Sequence, residues 1–374
     1  MMQIVELVDS LSAGGTERMV ADLSIALQAR GHGVRVVCLR GSGPCAEPLH
    51  VAGIEVLPLG KPEGMHLSTV GVLTRYLKEN RIDVVHTHNP LVHHYGVVCG
   101  YQSGAGAVIN TTHGINNLEN RFGKRETVFR LFSRLGDGVV AVCTAAQQKF
   151  SQTGIIPQNK LSVIENGIPL SKLLTLAPRT QRDPFVFGIL GRLAEVKNHK
   201  GLLRAFSAIR NQLPHARLEI AGDGPMRSEL EAQAKELGIL HEVIFHGHTT
   251  DVASLMGGWN VMVLSSLSEG LPLAILEAMA AGLPIIGTDV GGIPDIVHQA
   301  GCGWICPRAD TDALAAAMAA AMHSPALGEK GLLGRAYVKK CHSVEKMAEE
   351  YEQLFERVLA KKVRMYPSLA NGRS

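Results

Sequence analysis

A complete strand–loop–helix–strand unit occupies residues 261–290, which have the sequence VMVLSSLSEGLPLAILEAMAAGLPIIGTDV. The apolar run Val261–Leu264 predicts a buried strand, and Pro272 marks the turn into a helix, because proline is tolerated in the first helical turn. Gly282 predicts the end of that helix, and the run 284–287 predicts the next strand. Such a unit is typical of an α/β protein whose sheet is parallel.

The same alternation of short apolar runs with helical patterns extends along the whole chain. Many of the runs are continuously apolar, as expected of strands buried on both faces, so parallel sheets covered by helices are predicted. Right-handed crossovers then give a doubly wound α/β architecture. The other predicted strands are 4–8, 34–39, 54–57, 84–88, 108–112, 139–142, 161–164, 186–190, 217–221 and 243–246.

The length of 374 residues favours two domains, since one domain usually has about 100–200 residues. A polar, proline-containing segment at 170–184 is the predicted boundary. The domains are therefore placed at 1–175 and 176–350, with a C-terminal helix and tail at 351–374. An apolar stripe at spacings of three and four residues predicts the last helix at about 344–358.

Composition indicates a globular protein without a strong charge bias: 46% of the residues are hydrophobic, 19% are charged, and the net charge is +3. Nucleic-acid binding is not indicated, because it would need a concentrated basic stripe. The seven cysteines match no strong metal or redox motif, so a reduced, cytoplasmic protein is expected. The N-terminal residues MMQIVELVDS predict a first strand rather than a signal peptide. No apolar run reaches the roughly 18 residues of a transmembrane helix.

Two glutamates stand out in the loop and the helix that follow the strand at 261–264. Glu269 lies in the loop, beside backbone N–H groups near Gly270 and Leu271 that attract anions. A carboxylate in this place is explained if sugar or ribose hydroxyls donate hydrogen bonds to it. Glu277 lies in the helix among apolar neighbours, which indicates burial. The alternative is that Glu269 only caps the helix and Glu277 is a solvated helix residue.

Basic and small residues follow two other predicted strands, at the ends where doubly wound sheets bind ligands. Arg192 and Lys197 follow the strand at 186–190, where fixed cations would stabilise a departing diphosphate. A solvated basic loop is the alternative for that pair. Gly14 and Gly15 follow the first strand and would let a ligand approach a helix N-terminus, although a plain tight turn has the same composition. Their spacing is not that of a dinucleotide-binding fingerprint.

The chain resembles the family 4 retaining glycosyltransferases. The segment 268–282 matches the Glu-x7-Glu motif of that family through Glu269 and Glu277. The resemblance covers most of the chain, because further family elements occur in the expected order. These elements are Gly14-Gly15-Thr16-Glu17, Gly191-Arg192 with Lys197, Ala221-Gly222-Asp223-Gly224-Pro225 and Gly291-Gly292-Ile293-Pro294.

The resemblance implies the GT-B fold, in which two doubly wound Rossmann-like domains face each other across a cleft. The first domain would bind the acceptor, the second would bind the nucleotide sugar, and the C-terminal helix would cross back to the first domain. In this family Glu277 would bind ribose hydroxyls and Glu269 would bind hydroxyls of the transferred sugar. The implied catalytic residues are Arg192, Lys197, His113 and Glu269. The implied donor-binding residues are Gly14, Gly15, Gly191, Asp223, Gly224, Gly247, His248, Gly270, Leu271, Pro272 and Glu277.

Histidines are concentrated near the predicted strands at 84–88 and 108–112. His113 would lie near the donor sugar by resemblance, and is otherwise a strand-end histidine without chemistry. The others are His86, His88, His93 and His94. A His-x-His pair can chelate a metal, but no carboxylate motif accompanies it and the resembling fold binds no catalytic metal. A cleft-lining loop that contacts the acceptor is favoured, and no metal or other cofactor is expected.

A basic, amphipathic segment at 121–134 is the candidate for membrane contact. A helix with an apolar stripe flanked by cations can lie on an anionic bilayer. The favoured alternative is a helix that faces the core with its apolar side and water with its basic side. The residues concerned are Arg121, Lys124, Arg125, Arg130 and Arg134, interleaved with Phe122, Val128, Phe129 and Phe132. A cytoplasmic protein is therefore expected, with peripheral contact to the inner membrane face as the open alternative.

The predicted function is a retaining glycosyltransferase that moves a sugar, with a hexose as first expectation, to a glycan or lipid-linked acceptor in bacterial surface polysaccharide synthesis. A UDP-sugar is the first expectation for the donor, and GDP-mannose is the second. The alternatives on the same fold are a sugar-nucleotide epimerase and a glucan synthase. Outside the enzymes, the alternative is a non-catalytic sugar-binding protein, which the missing signal sequence disfavours.

Overall fold

The computed structural model describes residues 1–64, 66–114, 124–177, 183–210 and 215–365, and the side chains at 124, 125, 363 and 365 lie outside this description. The chain forms two compact units. The N-terminal unit consists of Met1–Gly167 and Val344–Ser374, and the C-terminal unit consists of Ile168–Ser343. The boundaries placed from the sequence, after 175 and 350, lie several residues later. Ile168 forms an isolated parallel bridge with Ser343, so both boundary residues of the C-terminal unit lie side by side.

The N-terminal unit is a parallel sheet with helices connecting its strands. Its strands are β1 (Gln3–Val8), β2 (Gly33–Cys38), β3 (Glu55–Pro58), β4 (Val84–His88), β5 (Ala107–Thr112), β6 (Gly138–Ala141) and β7 (Leu161–Val163). Its helices are α1 (Gly15–Ala29), α2 (Glu47–Val51), α3 (Leu67–Glu79), α4 (Pro90–Ser103), α5 (Lys124–Leu135), α6 (Thr144–Thr153) and α15 (Val344–Met365). The strand order is β3-β2-β1-β4-β5-β6-β7, with parallel pairing throughout.

The C-terminal unit repeats this architecture with a second parallel sheet. Its strands are β8 (Phe185–Leu190), β9 (Ala216–Ala221), β10 (Val243–Gly247), β11 (Val261–Leu264), β12 (Ile285–Thr288) and β13 (Gly303–Cys306). Its helices are α7 (Ser171–Leu174), α8 (His199–Ile209), α9 (Arg227–Glu236), α10 (Val252–Gly258), α11 (Leu273–Ala280), α12 (Ile293–Ala300), α13 (Thr311–Met322) and α14 (Leu327–Cys341). The order is β10-β9-β8-β11-β12-β13, again with parallel pairing.

Each unit has its own apolar core between the sheet and its helices. In the C-terminal unit, Phe187 and Val263 of the central strands pack in one cluster with Phe206 of α8 and Met318 of α13. In the N-terminal unit, strand residues pack with Tyr95 of α4 and neighbouring helical residues. Because apolar side chains point from both faces of these strands, the strands have the continuous apolar sequences that predicted them.

Every strand predicted from the sequence is present, with ends that differ by about one residue. The doubly wound α/β prediction is therefore confirmed. The sequence prediction missed β13, because Gly303–Cys306 (GWIC) contains a single β-branched residue and is partly exposed at the edge of its sheet.

The last helix begins at the predicted residue, Val344, but continues to Met365. It packs on the N-terminal unit, to which it belongs despite its distance along the chain. Glu352 of this helix binds Arg30 and His32, which follow α1, and the Tyr351 hydroxyl lies 2.9 Å from Thr111 Oγ1 of β5. None of the described helices has the length and apolar character needed to cross a membrane.

Candidate functional site

The C-terminal sheet reverses its strand order between β8 and β11, and this point defines the candidate site. β8 is followed along the chain by β9 on one side, whereas β11 lies on its other side. Ligands of doubly wound sheets bind outside the carboxyl ends of the strands at such a reversal. The loops concerned carry Arg192 and Lys197 after β8, and Glu269 after β11.

Lys197 and Glu269 meet at this reversal in a direct ion pair. Lys197 Nζ donates to Glu269 Oε1 over 2.5 Å, and Ser266 Oγ donates to the same oxygen over 2.6 Å. The lysine side chain is 23% exposed and the glutamate side chain is 10% exposed, so solvent screens the pair only partly. The structure thus brings together a phosphate-binding candidate and a sugar-binding candidate that are 72 residues apart in sequence.

Backbone hydrogen bonds hold the two loops against each other. Leu267 N–H donates to the Val196 carbonyl over 2.7 Å, and Ser265 Oγ donates to the Lys197 carbonyl over 2.9 Å. Thr288 Oγ1, at the end of β12, donates to the Ser266 carbonyl over 2.7 Å. The positions of Lys197 and Glu269 are therefore set by the backbone as well as by their own ion pair.

Two glycines are required where neighbouring loops close around this site. Gly222 has φ 131°, and a Cβ there would lie 2.0 Å from the Gly191 carbonyl oxygen. Gly291 has φ 58°, and a Cβ there would lie 2.4 Å from the Glu269 carbonyl oxygen. The Gly292 N–H next to it donates to the Gly270 carbonyl over 2.8 Å. The Gly-Gly-Ile-Pro element of the sequence thus supports the backbone of the Glu269 loop.

Glu277 lies in α11 and is buried, with 4% of the residue exposed. The alternative of a solvated helix residue is therefore wrong for Glu277. α11 begins at Leu273, so Pro272 precedes the helix in an extended conformation instead of lying in its first turn. Gly270 and Leu271 are buried in the loop that leads into this helix.

The remaining candidates of the C-terminal unit line the loops after β8, β9 and β10. Arg192 is exposed, and no ion-pair or hydrogen-bond partner for its side chain is found among the described residues. Asp223 is exposed and its Oδ1 accepts the Gly224 N–H, which makes it a local turn residue. Gly247 ends β10 at a bulge, and its carbonyl accepts the Gly222 N–H over 2.8 Å. His248 follows it and is exposed.

In the N-terminal unit, Gly14 and Gly15 lie at the start of α1, as predicted. Gly14 precedes the helix and Gly15 is its first residue. A Cβ on Gly14 would lie 2.2 Å from the Glu17 carboxylate, which therefore folds back over the helix N-terminus. Burial raises the pKa of Glu17, while a hydrogen bond from its own backbone N–H lowers it. The sequence reasoning missed this position of the Glu17 carboxylate beside Gly14.

The four histidines His86, His88, His93 and His94 do not lie in a loop. His86 and His88 lie within β4, and His93 and His94 lie within α4. The prediction of a cleft-lining loop is therefore wrong, because His86 and His88 lie inside the strand predicted at 84–88 and the other two lie in the helix that follows it. His93 lies on the other face of the sheet, where its Nδ1 is hydrogen-bonded to the Thr87 hydroxyl over 3.0 Å.

His86 and His88 have a carboxylate partner that the sequence reasoning also missed. Glu6 of β1 is buried with both histidines, and its Oε2 lies 2.6 Å from His88 Nε2. Burial would raise the pKa of Glu6, but the charge and hydrogen bonds of His86 and His88 lower it to about 2. The signal was a single charged residue within the otherwise apolar strand IVELV. His113 follows β5 and its Nε2 lies 3.1 Å from His88 Nδ1.

The basic segment forms α5 over its described part, and Arg121 and Phe122 lie outside the described residues. Phe129 is buried and Phe132 is half-buried against His94, so these rings face the unit itself. The exposed apolar residues are instead Val128, Leu131 and Leu135. Arg134 is exposed beside them, while Arg130 donates to the Gly154 carbonyl.

Comparison with known families agrees with the order of these elements. Residues 13–172 match the family described as Glycosyltransferase Family 4, and residues 177–355 match Glycosyl transferases group 1. The two matches cover nearly all of both units. The chain therefore belongs to the family 4 glycosyltransferases with the GT-B fold, and it is a sugar-transferring enzyme.

Individual relatives show how far this similarity extends. The UDP-Gal:alpha-D-GlcNAc-diphosphoundecaprenol alpha-1,3-galactosyltransferase of Escherichia coli is 27% identical over 260 residues, 64% of this chain and 66% of that protein. The matched stretch is thus just under two thirds of that relative. An uncharacterized glycosyltransferase of Haemophilus influenzae is 25% identical over 366 residues, 91% of this chain and 96% of that protein. The crystal structure of Anabaena HepE in complex with UDP has a TM-score of 0.83 at 21% identity and covers 95% of this chain and 100% of that chain.

Proposed function

We propose that this enzyme transfers a hexose, with retention of configuration, from a UDP-sugar to a glycan or lipid-linked acceptor in bacterial surface polysaccharide synthesis. The observation that carries the proposal is the Lys197–Glu269 pair at the strand reversal of the C-terminal sheet. A nucleotide sugar offers the matching groups, because its diphosphate is anionic and its ring hydroxyls donate hydrogen bonds. The names of the Escherichia coli relative and of the HepE complex support UDP as the nucleotide. GDP-mannose is the second candidate donor.

In this proposal the C-terminal unit binds the donor and the N-terminal unit binds the acceptor. Lys197 and Arg192 hold the diphosphate. Glu269 accepts hydrogen bonds from hydroxyls of the transferred sugar, and Glu277 accepts hydrogen bonds from the ribose hydroxyls. Donor binding releases Lys197 from Glu269, since the diphosphate then takes over the lysine. The further donor contacts proposed in the C-terminal unit come from Gly191, Asp223, Gly224, Gly247, His248, Gly270, Leu271 and Pro272.

The proposed reaction proceeds on one face of the donor sugar. The bond from the anomeric carbon to the phosphate oxygen breaks, and the acceptor oxygen forms its bond to the same carbon. The acceptor proton passes to the departing phosphate oxygen. Negative charge develops on the leaving diphosphate, where Lys197 and Arg192 stabilise it most in the transition state.

The same two cations are proposed to replace a divalent metal in this reaction. Turnover should then be unchanged when EDTA is added to an assay without added metal. Turnover that vanishes with EDTA and returns with Mg²⁺ or Mn²⁺ would contradict a metal-independent reaction.

Thermal shift measurements test the class of ligand. A ligand that binds only the native state raises the melting temperature. UDP is expected to raise it at concentrations where free galactose and glucose have no effect. A shift with the free sugars alone would instead indicate a non-catalytic sugar-binding protein.

A panel of nucleotide sugars then tests the donor. Slow hydrolysis is measured for UDP-galactose, UDP-glucose, UDP-N-acetylglucosamine and GDP-mannose, and proton NMR of the released sugar records its first anomer. We expect hydrolysis of a UDP-sugar with the anomeric configuration retained. Release of the opposite anomer would contradict retention, and exclusive cleavage of GDP-mannose would contradict UDP.

We also propose peripheral contact with an anionic membrane through the exposed face of α5. Its exposed apolar residues are Val128, Leu131 and Leu135, spaced to lie along one face, and Arg134 is exposed beside them. Apolar burial together with attraction of cations to anionic lipid is the physical basis of interfacial binding. A lipid-linked acceptor would bring the enzyme to such a surface.

A further inference from the structure

One face of the N-terminal sheet carries a connected row of buried polar side chains. Glu6 of β1 is paired across the strands with His86 of β4, and His88 lies two residues further on the same face. His86 Nδ1 lies 2.8 Å and His88 Nε2 lies 2.6 Å from Glu6 Oε2. His88 Nδ1 in turn lies 3.1 Å from His113 Nε2. The row therefore connects a fully buried carboxylate to His113 at the carboxyl end of the sheet.

The C-terminal helix closes the inner end of this row. His86 Nε2 lies 2.8 Å from the Thr111 hydroxyl, which lies 2.9 Å from the Tyr351 hydroxyl. The rings of Tyr351 and Phe355 pack on His86 with centroid distances of 4.9 and 5.3 Å. Glu6, His86 and His88 are almost completely excluded from solvent as a result.

The side chains Glu6, His86 and His88 are of types that also bind metal ions, and their donor atoms lie within 4.8 Å of one another. Ligands about 2.0–2.2 Å from a tetrahedral zinc ion would be separated from each other by roughly 3.3 Å. His88 Nε2 lies 2.6 Å from Glu6 Oε2 and is hydrogen-bonded to it, and His86 Nδ1 lies 2.8 Å from the same oxygen, so both separations are shorter than that between two zinc ligands. The geometry therefore favours direct contact of these side chains through hydrogen bonding over a bound metal ion.

The direction of these hydrogen bonds follows from the charge of each group. The low pKa of Glu6, about 2, keeps it an ionised carboxylate that can only accept hydrogen bonds. His88 must therefore donate through Nε2. Burial, followed by the nearby His86, lowers the pKa of His88 to about 4, so the ring is neutral at physiological pH and its Nδ1 is an acceptor.

The same rule fixes the next ring. His88 Nδ1 accepts a hydrogen bond, so His113 Nε2 must donate it. Burial and then the neighbouring His88 hold the pKa of His113 well below its usual value, so this ring is neutral as well. A neutral imidazole protonated at Nε2 has an unprotonated Nδ1. No other hydrogen bond to the His113 side chain is found in the described part of the chain.

We propose that Glu6 and His88 are positioning residues that fix His113 as the neutral Nε2–H tautomer, so that its Nδ1 accepts a hydrogen bond from a hydroxyl group of the substrate. A neutral acceptor binds a hydroxyl donor and gives no attraction to a phosphate, so His113 would recognise a sugar hydroxyl. This role rests on the proposed sugar transfer, whereas the tautomer itself does not.

Histidine tautomers can be measured directly on the intact enzyme. Long-range proton–nitrogen NMR correlations of the ¹⁵N-histidine-labelled protein distinguish Nδ1–H from Nε2–H rings, and His113→Gln assigns the His113 signals. At about pH 7 we expect one neutral Nε2–H tautomer for His113 and for His88. A protonated His113 ring or an Nδ1–H tautomer overturns the proposal, whether or not any sugar is transferred.

Removal of the Glu6 carboxylate tests whether it fixes the tautomer of His113. Glu6→Leu should leave His113 as a mixture of tautomers and lower kcat/KM for UDP-galactose hydrolysis roughly fivefold, the effect of about one lost hydrogen bond. The KM for the donor should change less than kcat, because the nucleotide contacts are elsewhere. If Glu6→Leu does not fold, Glu6→Gln removes the charge with less change of shape and should give the same mixture.

A matched control exists in the same unit. Glu352 also binds a buried histidine, His32, over 3.0 Å, but it has no connection to His113 through the hydrogen bonds described. Glu352→Leu should leave the His113 tautomer and kcat/KM unchanged. An unaltered single tautomer in both Glu6 variants overturns the proposal. Stoichiometric zinc in the purified enzyme, lost on substitution of His86, overturns it in favour of a metal site.

Discussion

Lys197 and Glu269 form a direct ion pair between the loops that follow β8 and β11. Each side chain has a charge that would be unfavourable alone in its partly buried position, and their ion pair compensates both. In the proposed reaction, the diphosphate of the donor would bind Lys197 and the sugar hydroxyls would donate hydrogen bonds to Glu269. The ion pair thus fixes the positions of both side chains.

Lys197→Ala is expected to lower kcat about 10²–10³-fold, because the departing diphosphate loses one fixed cation. Turnover of UDP-galactose, or of whichever donor the panel identifies, is the measurement, with the melting temperature recorded in parallel.

Lys200→Ala is the matched control for this substitution. Lys200 lies three residues further along and binds Glu229 and Glu195 on the surface, away from Glu269. Its removal should leave kcat within about twofold, as for most exposed ion pairs. Wild-type turnover in Lys197→Ala would remove Lys197 from the mechanism.

Among the elements, the loops after β11 and β12 depend on each other. Gly291 packs directly on the carbonyl groups of Glu269 and Gly270, so it determines where the Glu269 loop can lie. Its left-handed φ of 58° adds a separate requirement for glycine.

Gly291→Ala should weaken UDP binding and destabilise the enzyme by about 1–3 kcal/mol, because backbone strain and a backbone clash add. Isothermal titration with UDP and urea unfolding measure the two effects. Gly301→Ala separates them, since Gly301 has a similar φ of 63° but its added Cβ would meet only the Leu333 side chain at 3.7 Å. Equal UDP affinity in both variants would show that the contact with the Glu269 loop is unimportant.

The exposed face of α5 leads to a prediction about membranes. Leu131 is 54% exposed, and burial of a leucine in a bilayer interface should contribute more than about 1 kcal/mol. Leu131→Asp should therefore reduce binding to vesicles of anionic phosphatidylglycerol at least about tenfold in a sedimentation assay. Val72→Asp on α3 introduces the same charge at an equally exposed apolar position and should have little effect. Equal binding by both variants and by the wild type would exclude this face.

In the molecule as a whole, buried neutral histidines occur in both units. Burial lowers the pKa of His93 in the N-terminal unit to about 3, and of His199 in the C-terminal unit to about 4. Both have a usual pKa of 6.5, which applies to the unfolded chain. At pH values between the native pKa and the unfolded pKa, the unfolded chain binds more protons than the native protein. The free energy of unfolding therefore falls as the pH falls through this range.

The expected loss begins below about pH 6.5 and continues to about pH 4, with a slope of roughly 1.4 kcal/mol per pH unit for each such histidine. Urea unfolding at a series of pH values measures this slope. His199→Gln should reduce the slope by the contribution of one histidine, roughly 1.4 kcal/mol per pH unit. His323→Gln, at an exposed position, should leave the slope unchanged. A slope that is insensitive to His199→Gln would mean that this histidine is protonated in the native protein.

The sequence determined the fold class because its signals are local. Strands buried on both faces must be apolar along their length, so their runs identify β1 to β12 with small errors at the ends. The Glu-x7-Glu segment and the glycine elements identify the family for a similar reason, since loop geometry after each strand requires particular residues at fixed spacings.

The tertiary structure alone decided which distant residues meet. Lys197 reaches Glu269 and Glu6 reaches His88 because parallel pairing places non-consecutive strands side by side. Tyr351 reaches Thr111 because the C-terminal helix packs on the N-terminal unit. Sequence spacing contains no such information, since crossover helices of variable length separate the strands. For that reason the sequence predicts a cleft-lining loop for the four histidines, whereas His86 and His88 lie in a buried row with Glu6 and the other two lie in α4. The glutamate pair indicates sugar transfer from the sequence alone, whereas only the tertiary structure shows that Lys197 contacts Glu269.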